Sequence, residues 1–277
     1  MKNFLKQICR KVGYEFHKSG YCTDPINIGT NNKNSFPYIE DFQFDNFHFK
    51  FWVANEDGKK MYQNTDVDKE IACLINATQP SDRIIEIGTH HGFFTVLLGK
   101  VVGPKGFVLG LEALPANTLI AQSQITLNEL WNVCKIKNVA ASDSDTTVNL
   151  TRMSSNASVM ENNCHNTMTL NAVPADSYLQ KYGTFNAIKI DVEGYEYKVL
   201  KGCKQILSTR PKLFLELHIP FLKTYKTTVS DIFTLINIKD YEGFMVPRTD
   251  KTKVLPFNPH NLPNDVVNLI LKPKIIN

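Results

Sequence analysis

The sequence predicts an α/β fold: a mostly parallel sheet covered by helices on both faces. Three observations predict it. Short β-branched runs such as Arg83-Ile84-Ile85-Glu86-Ile87 and Ala187-Ile188-Lys189-Ile190 have the length and residue preference of buried strands. Apolar segments of helical length, Phe93 to Val101 and Pro115 to Leu130 among them, lie between such runs. Strands separated by helices need crossover connections and therefore pair in parallel. The 277 residues are 43% hydrophobic and 21% charged, which excludes a collagen-like or disordered chain.

Two regions are expected, an N-terminal helix and aromatic strand cap over residues 1–64 and a main domain over 65–277. Phe4, Leu5, Ile8, Cys9 and Val12 recur near helical spacing with Lys2, Lys6, Arg10 and Lys11 between them, a short basic amphipathic helix. Its apolar stripe either packs on its own domain or gives residues 1–16 a weak contact with an anionic membrane surface. Asn27 to Asn34 reads as loop. Phe47-His48-Phe49-Lys50-Phe51 alternates with the period of a half-buried strand and ends at the turn signal Asn55-Glu56-Asp57-Gly58. The aromatic residues Phe42, Phe44, Phe47, Phe49, Phe51 and Trp52 either form a plain core or frame an acceptor pocket.

From residue 65 the elements follow in order. Thr65-Asp66-Val67-Asp68 fits a capping box before a helix carrying Ile71, Cys73, Leu74 and Ile75. The strand Arg83 to Ile87 closes at Gly88, and Gly103-Pro104 stops the helix after it. Phe107 to Leu111 is the second strand. The next helix starts at Pro115, where a missing N–H costs least. Val133 to Val139 is the third strand. Residues 142 to 172, rich in Ser, Asn and Thr, predict one edge strand at Thr147 to Leu150. Strand Ala187 to Ile190, helix Tyr195 to Leu207, strand Leu213 to Leu217, helix Val229 to Ile238 and strands Tyr241 to Val246 and Val266 to Leu271 complete the chain.

No apolar run approaches the ~20 residues of a membrane span, and charges interrupt the start, unlike a signal peptide; a cytoplasmic protein is expected. Net charge is +4 without a Lys/Arg block, so no nucleic-acid partner is expected. The six cysteines form no C-x-x-C pair, so neither a zinc knuckle nor a dithiol centre is indicated. The oligomeric state is open.

In sheets of this kind ligands bind outside the carboxyl ends of the strands, and four constellations fall there. Glu86-Ile87-Gly88-Thr89-His90-His91-Gly92-Phe93 takes a strand through two glycines into a helix N-terminus that offers free N–H groups. It lacks the G-x-G-x-x-G of dinucleotide binders and the Gly-Lys-Ser/Thr of a P-loop. Glu112 ends the second strand, where a carboxylate can accept from both hydroxyls of a ribose. Asp191-Val192-Glu193-Gly194 sets two acids at a turn, suited to proton abstraction, cation stabilisation or a divalent ion, while Glu193 or Glu196 could instead cap the following helix. Glu216-Leu217-His218 ends the next strand, and His218 is either a base or a hydrogen-bonded structural residue.

Together with Leu111-Glu112-Ala113, Leu127-Asn128 and Asn138 to Asp143, the glycine turn and the run Ile188-Lys189-Ile190-Asp191-Val192-Glu193-Gly194 resemble the FkbM family of methyltransferases. Val199-Leu200-Lys201-Gly202 and Pro211 to His218 continue the likeness, which spans roughly residues 66 to 272. The glycine turn departs from the family's D-I-G-A-N-x-G at Glu86, Thr89 and His90. The resemblance implies the class I methyltransferase fold, a Rossmann-like, mostly parallel seven-stranded sheet. It implies S-adenosyl-L-methionine as donor and a hydroxyl of a sugar or other small molecule as acceptor. It further implies that Glu86, Gly88, Thr89 and Gly92 hold the methionine end, Glu112 the ribose, and Ala140 and its neighbours the adenine border, with Phe93 and Ala113 also counted in the donor site. Asp191 would face the transferred methyl. Asp191 is the first candidate base and His218 the second, with Glu193 a helper. A divalent metal on Asp191, Glu193 and His218 has no dedicated ligand spacing, so none is assigned. The competing expectations are a catalytically silent metabolite- or partner-binding relative and a nicotinamide-dependent oxidoreductase.

Overall fold

Alternating inward residues build the sheet and decide which helix packs on which face. The computed structural model describes residues 36–63, 65, 68–153, 156–160 and 167–275. The amphipathic start and the Asn27–Asn34 segment lie outside the described residues. In chain order the described elements begin with the hairpin β1 (Tyr38–Phe44) and β2 (Phe47–Val53), followed by α1 (Glu56–Tyr62) and α2 (Lys69–Ala77). Next come β3 (Arg83–Ile87), α3 (Phe93–Val102), β4 (Phe107–Glu112), α4 (Pro115–Leu127) and β5 (Cys134–Asn138). The segment β6 (Ala140–Ala141), β7 (Thr146–Met153), β8 (Asn156–Met160), β9 (Thr167–Val173) and α5 (Leu179–Tyr182) leads back to β10 (Ala187–Ile190). The chain ends with α6 (Glu196–Lys201), α7 (Lys204–Ser208), β11 (Lys212–His218), α8 (Ile219–Leu222), α9 (Val229–Leu235), β12 (Tyr241–Pro247), β13 (Leu255–Pro256) and β14 (Val266–Pro273).

The main sheet has the order β13-β12-β14-β11-β10-β3-β4-β5. It is the doubly wound, class I methyltransferase type of sheet, with eight strands rather than seven; the extra one is the two-residue edge strand β13. The pairs from β11 through β10, β3 and β4 to β5 are all parallel, and β14 inserts antiparallel between β11 and β12. The chain leaves β3 toward β4 and β5, then returns to β10 on the other side of β3. The point where the winding reverses therefore lies between β3 and β10, where a crevice opens at the strands' carboxyl ends.

Alternation fixes two core layers. Ile84, Ala187 and Phe214 pack with α2, α3 and α4, whereas Ile85, Ile188 and Leu213 pack with α6, α7 and α9. The aromatic hairpin belongs to the first layer. Phe42, Phe44, Phe49 and Phe51 surround the Phe93 ring with centroids 5.1–6.1 Å away, mostly edge to face. The hairpin phenylalanines therefore form core and do not frame a pocket.

Two amides tie β2 to α4. Gln124 accepts from the Trp52 N–H at 2.8 Å and donates to the Trp52 carbonyl at 2.8 Å. One helical turn later, Asn128 accepts from Lys50 N–H at 2.9 Å and donates to its carbonyl at 2.7 Å. The i, i+4 spacing puts both amides on one face of the helix, and together they satisfy the backbone groups that β2 would otherwise offer to another strand.

Several boundaries shift from expectation. The helix after residue 65 begins at Lys69, because Asp68, whose carboxylate accepts from Glu70 N–H at 3.0 Å, is the cap. The expected helix Tyr195–Leu207 is two helices. It breaks at Gly202, where a Cβ would stand 2.0 Å from the Ser142 carbonyl, and restarts under the Asp176 carboxylate, which accepts from Gln205 and Ile206 N–H. Residues 140–173 hold a second sheet, β6-β9-β7-β8, in place of a lone edge strand. Its Val159 carbonyl accepts a 2.7 Å hydrogen bond from the Tyr225 hydroxyl, which anchors it over the crevice. Among the described residues no helix is long and apolar enough to cross a membrane.

Replacing Asn128 with Ala leaves both Lys50 backbone groups without their partners. The unfolding free energy in urea is expected to fall by about 1–2 kcal/mol; an unchanged midpoint would reject the clamp.

Candidate active site

The crevice depends on a close backbone approach. Gly88, at φ +85°, leaves β3 and donates its N–H to the Leu111 carbonyl at 2.9 Å. A methyl group on Gly88 would stand 1.8 Å from the Asp191 carbonyl oxygen, so only glycine lets the ends of β3 and β10 meet. The turn continues through His90, also left-handed at φ +51°, to Gly92 at the start of α3.

Glu112 holds this turn in place. One oxygen accepts from His90 N–H at 2.8 Å and the other from Leu114 N–H at 2.9 Å, joining the loop after β3 to the start of α4. The Asn117 side chain is a third hydrogen-bond partner, and a carboxylate, with about four acceptor sites, still has room for a ligand donor. Burial, against those backbone hydrogen bonds, pushes the carboxyl up to about 7.

The resulting cleft is open to solvent on one side. Of the residues selected from sequence, Gly88, Glu112, Ala113, Ala140, Asp191 and Glu193 line it. Glu86, Thr89, Gly92, Phe93 and His218 do not, and each has a physical reason. Glu86 shares strand parity with Ile84, so its fully buried carboxylate points beneath the sheet and accepts from the Thr95 hydroxyl of α3 at 2.5 Å. Burial pushes it up to about 7. Thr89 is buried against Gly110. Gly92 packs on Ala121. Phe93 is the centre of the aromatic core. His218 stands behind the cleft wall: its Nδ1 is 2.8 Å from Glu196 Oε1, and its Nε2 is 3.3 Å from Glu193 and 3.9 Å from Asp191. Burial disfavours the imidazolium, but Glu196, then Asp191, outweigh it and raise His218 to about 9. It is therefore not a base poised near neutrality.

Asp191 and Glu216 divide a proton. Burial raises Asp191, yet Lys189, His218 and a hydrogen bond from Glu216 outweigh it and hold Asp191 below its ordinary value. Glu216, buried beside Asp191, is pushed well above its ordinary value. Neighbouring carboxyls in low dielectric separate in this way.

His90 was visible in sequence only as a departure from a pattern. It lines the cleft, and its Nδ1 is 2.7 Å from the Tyr62 hydroxyl. Burial, then His91, push it down to about 3, so the ring is neutral. The Tyr62 oxygen already accepts from the His91 backbone. Assigning the Tyr62 proton to His90 Nδ1 puts the ring's N–H on Nε2, a buried atom with no hydrogen-bond partner among the described residues. The turn thus carries a buried ring donor on His90, whose backbone N–H is bonded to the Glu112 carboxylate, a combination suited to a polar ligand. Met61, Leu150, Val159 and Tyr195, from α1, the second sheet and the loop before α6, supply the opposite, more apolar wall.

A family model described as the methyltransferase FkbM domain matches residues 86–242, more than half of the chain. No curated protein matches the sequence. Among solved structures, the chain is similar to fibrillarin from Aeropyrum pernix, solved with natively bound S-adenosyl-L-methionine. The TM-score is 0.47 at 12% identity, covering 84% of this chain and 82% of that one. A SAM-dependent methyltransferase from Aquifex aeolicus gives a TM-score of 0.44 at 12% identity over 77% and 95%. The Bacillus cereus O-methyltransferase in complex with SAH gives 0.43 at 14% over 76% and 82%. The fold assignment itself comes from the strand order.

Glu86 carries a pH signature. With the native carboxyl at about 7 and the unfolded one at 4.5, the native state binds more protons between these values. Stability therefore declines as pH rises through that window and levels off above about 7, with a slope of up to about 1.4 kcal/mol per pH unit from this group. Glu86→Gln removes that contribution, and a denaturation series from pH 4 to 8 with the wild-type slope retained would refute it.

Proposed function

The chain belongs to the FkbM methyltransferase family, and we propose that it transfers a methyl group from S-adenosyl-L-methionine to a hydroxyl of a sugar or other small molecule. The observation that carries this reading is the polar pair at the winding reversal, the Glu112 carboxylate and the unpartnered His90 Nε2–H, above the Gly88 turn. A nucleoside fits these groups. Glu112 accepts from the ribose hydroxyls, Gly88 admits close backbone approach, and Ala113 and Ala140 leave room for a flat base. His90 donates to an oxygen of the same ligand. When bound, the donor supplies a methyl group activated by its sulfonium.

The protein's own work is positioning and proton removal. Alignment of two reactants in one cleft can supply up to ~7–11 kcal/mol of the barrier. Asp191 stands at the cleft face of β10 and takes the proton of the acceptor hydroxyl, a contribution of about 10²–10⁴-fold. Glu193, beside it at φ +53°, orients the acceptor. Met61, Leu150, Val159 and Tyr195 cover the acceptor side and exclude water. Glu86, Thr89, Gly92 and Phe93 act from behind by shaping the turn.

Incubation with isotopically labelled S-adenosyl-L-methionine and a panel of hydroxylated small molecules, read by mass spectrometry, tests the activity. A methyl ether product is expected, and donor binding without any product would favour a silent relative. Asp191→Asn should keep S-adenosylhomocysteine binding and lose at least 10²-fold in kcat. Because Glu112 accepts better when ionised, donor affinity should rise with pH through about 7. Glu112→Gln should weaken binding and flatten that rise, and an unchanged Kd by calorimetry counts against the ribose role.

A further inference from the structure

We propose that Asp191, Glu193 and His218 form a divalent-cation site on the acceptor side of the cleft, with Glu196 as the outer partner that orients His218. One ligand atom from each of the three lies within 4.8 Å of the others. Nε2 of His218 is 3.3 Å from a Glu193 oxygen and 3.9 Å from an Asp191 oxygen. Ligands about 2.1 Å from a shared metal stand about 3.0–3.5 Å apart, so small side-chain adjustments close the set.

The independent observation is on the far side of the imidazole. Glu196 is fully buried, and its Oε1 lies 2.8 Å from His218 Nδ1 while accepting from Gly194 N–H at 3.0 Å. A carboxylate on one ring nitrogen turns the other toward the site, the arrangement that orients metal-bound histidines. The second oxygen of Glu196, about 2.2 Å from the first by carboxylate geometry, is buried in the same cluster without a hydrogen-bond partner among the described residues. An uncompensated buried carboxylate oxygen is costly, and a cation brought into the cluster offsets that cost.

The surrounding charges point the same way. Arg248 is bonded to Glu216 at 3.1 Å and also acts on Asp191 and Glu193 from farther off, and Lys189 faces Glu86 and Glu70 as well as Asp191. The His218 ring lies within 3.9 Å of carboxylate oxygens from Asp191, Glu193 and Glu196 together. A divalent ion would be held there by carboxylates on one side and the imidazole on the other. Access is built in, because Asp191 and Glu193 line the open cleft while His218 closes the rear, so coordination positions remain on the ligand side. Two carboxylates and one imidazole suit a first-row ion such as Mn²⁺.

The proposal concerns binding and stands apart from turnover. Mn²⁺ is titrated into the full-length chain and the free ion is read by electron paramagnetic resonance. One Mn²⁺ per chain is expected, with loss of binding in His218→Ala and a 10–100-fold weaker Kd in Glu196→Gln. Calorimetry with S-adenosylhomocysteine shows that each variant is folded, and Glu193→Gln replaces His218→Ala if that variant does not fold. No binding to the wild type, or equal binding in the variants, overturns the site. Nucleoside binding without Mn²⁺ leaves the methyl-transfer reading standing and removes the metal; Mn²⁺ binding without the nucleoside does the reverse.

Discussion

The approach of Gly88 to the Asp191 carbonyl is the constraint on which the crevice depends. It sits where the winding of the sheet reverses, and it brings the last residues of β3 and β10 closer than any side chain would allow. Asp191 donates its backbone N–H to the Ile87 carbonyl at 2.9 Å, so the strands stay paired up to the turn. Beyond that point the loops diverge, one toward α3 and the other toward α6, and the cleft is the space between them. The Glu112 carboxylate then fixes the first loop by its two backbone hydrogen bonds. A rigid floor follows from one glycine and one carboxylate.

Beneath that floor lies a second layer of charge that never reaches the ligand. Glu86, Lys189 and Glu216 alternate onto the same face of adjacent strands, under α2 and α3, with Glu70 reaching them from α2. Lys189 also lies over the Phe94 ring at 4.4 Å. Groups buried this way are costly when unpaired, and here one lysine serves several carboxyls, which explains why burial drives Glu70 and Glu86 up to about 7. The layer tunes Asp191 from below: Lys189 and the proton held by Glu216 keep it anionic.

Much of this arrangement was legible in the chain. The strands β3, β4, β10 and β11 are short runs dominated by β-branched and leucine residues, and the glycine spacing after β3 announces the turn. What misled was strand parity. Glu86 stands between Ile85 and Ile87, which face α6 and α7, so its side chain had to face α3; its place near a strand end did not make it a ligand group. His218 looked like a base because histidine titrates near neutrality, but the three carboxylates that surround it are 22, 25 and 27 positions away in sequence and none of them is predictable as a neighbour from local pattern. The second sheet was hidden for a different reason. Its Ser, Asn and Thr residues leave one face wet, and a wet strand has little hydrophobic period to read.

The aromatic hairpin shows how a misread element still contributes to the site. Its phenylalanines wrap Phe93, the first residue of α3, and Phe93 in turn stacks on Tyr62 at 4.7 Å with ring planes 8° apart. Tyr62 is the residue whose hydroxyl fixes the His90 tautomer. Core packing and cleft chemistry are thus linked through one ring. The hairpin positions Phe93, Phe93 positions Tyr62, and Tyr62 decides which nitrogen of His90 presents a proton to the cleft. The histidine at this turn is backed by an aromatic core through Tyr62 and Phe93, which gives the chain's departure from Asn at this position a structural counterpart in the hairpin that precedes the sheet.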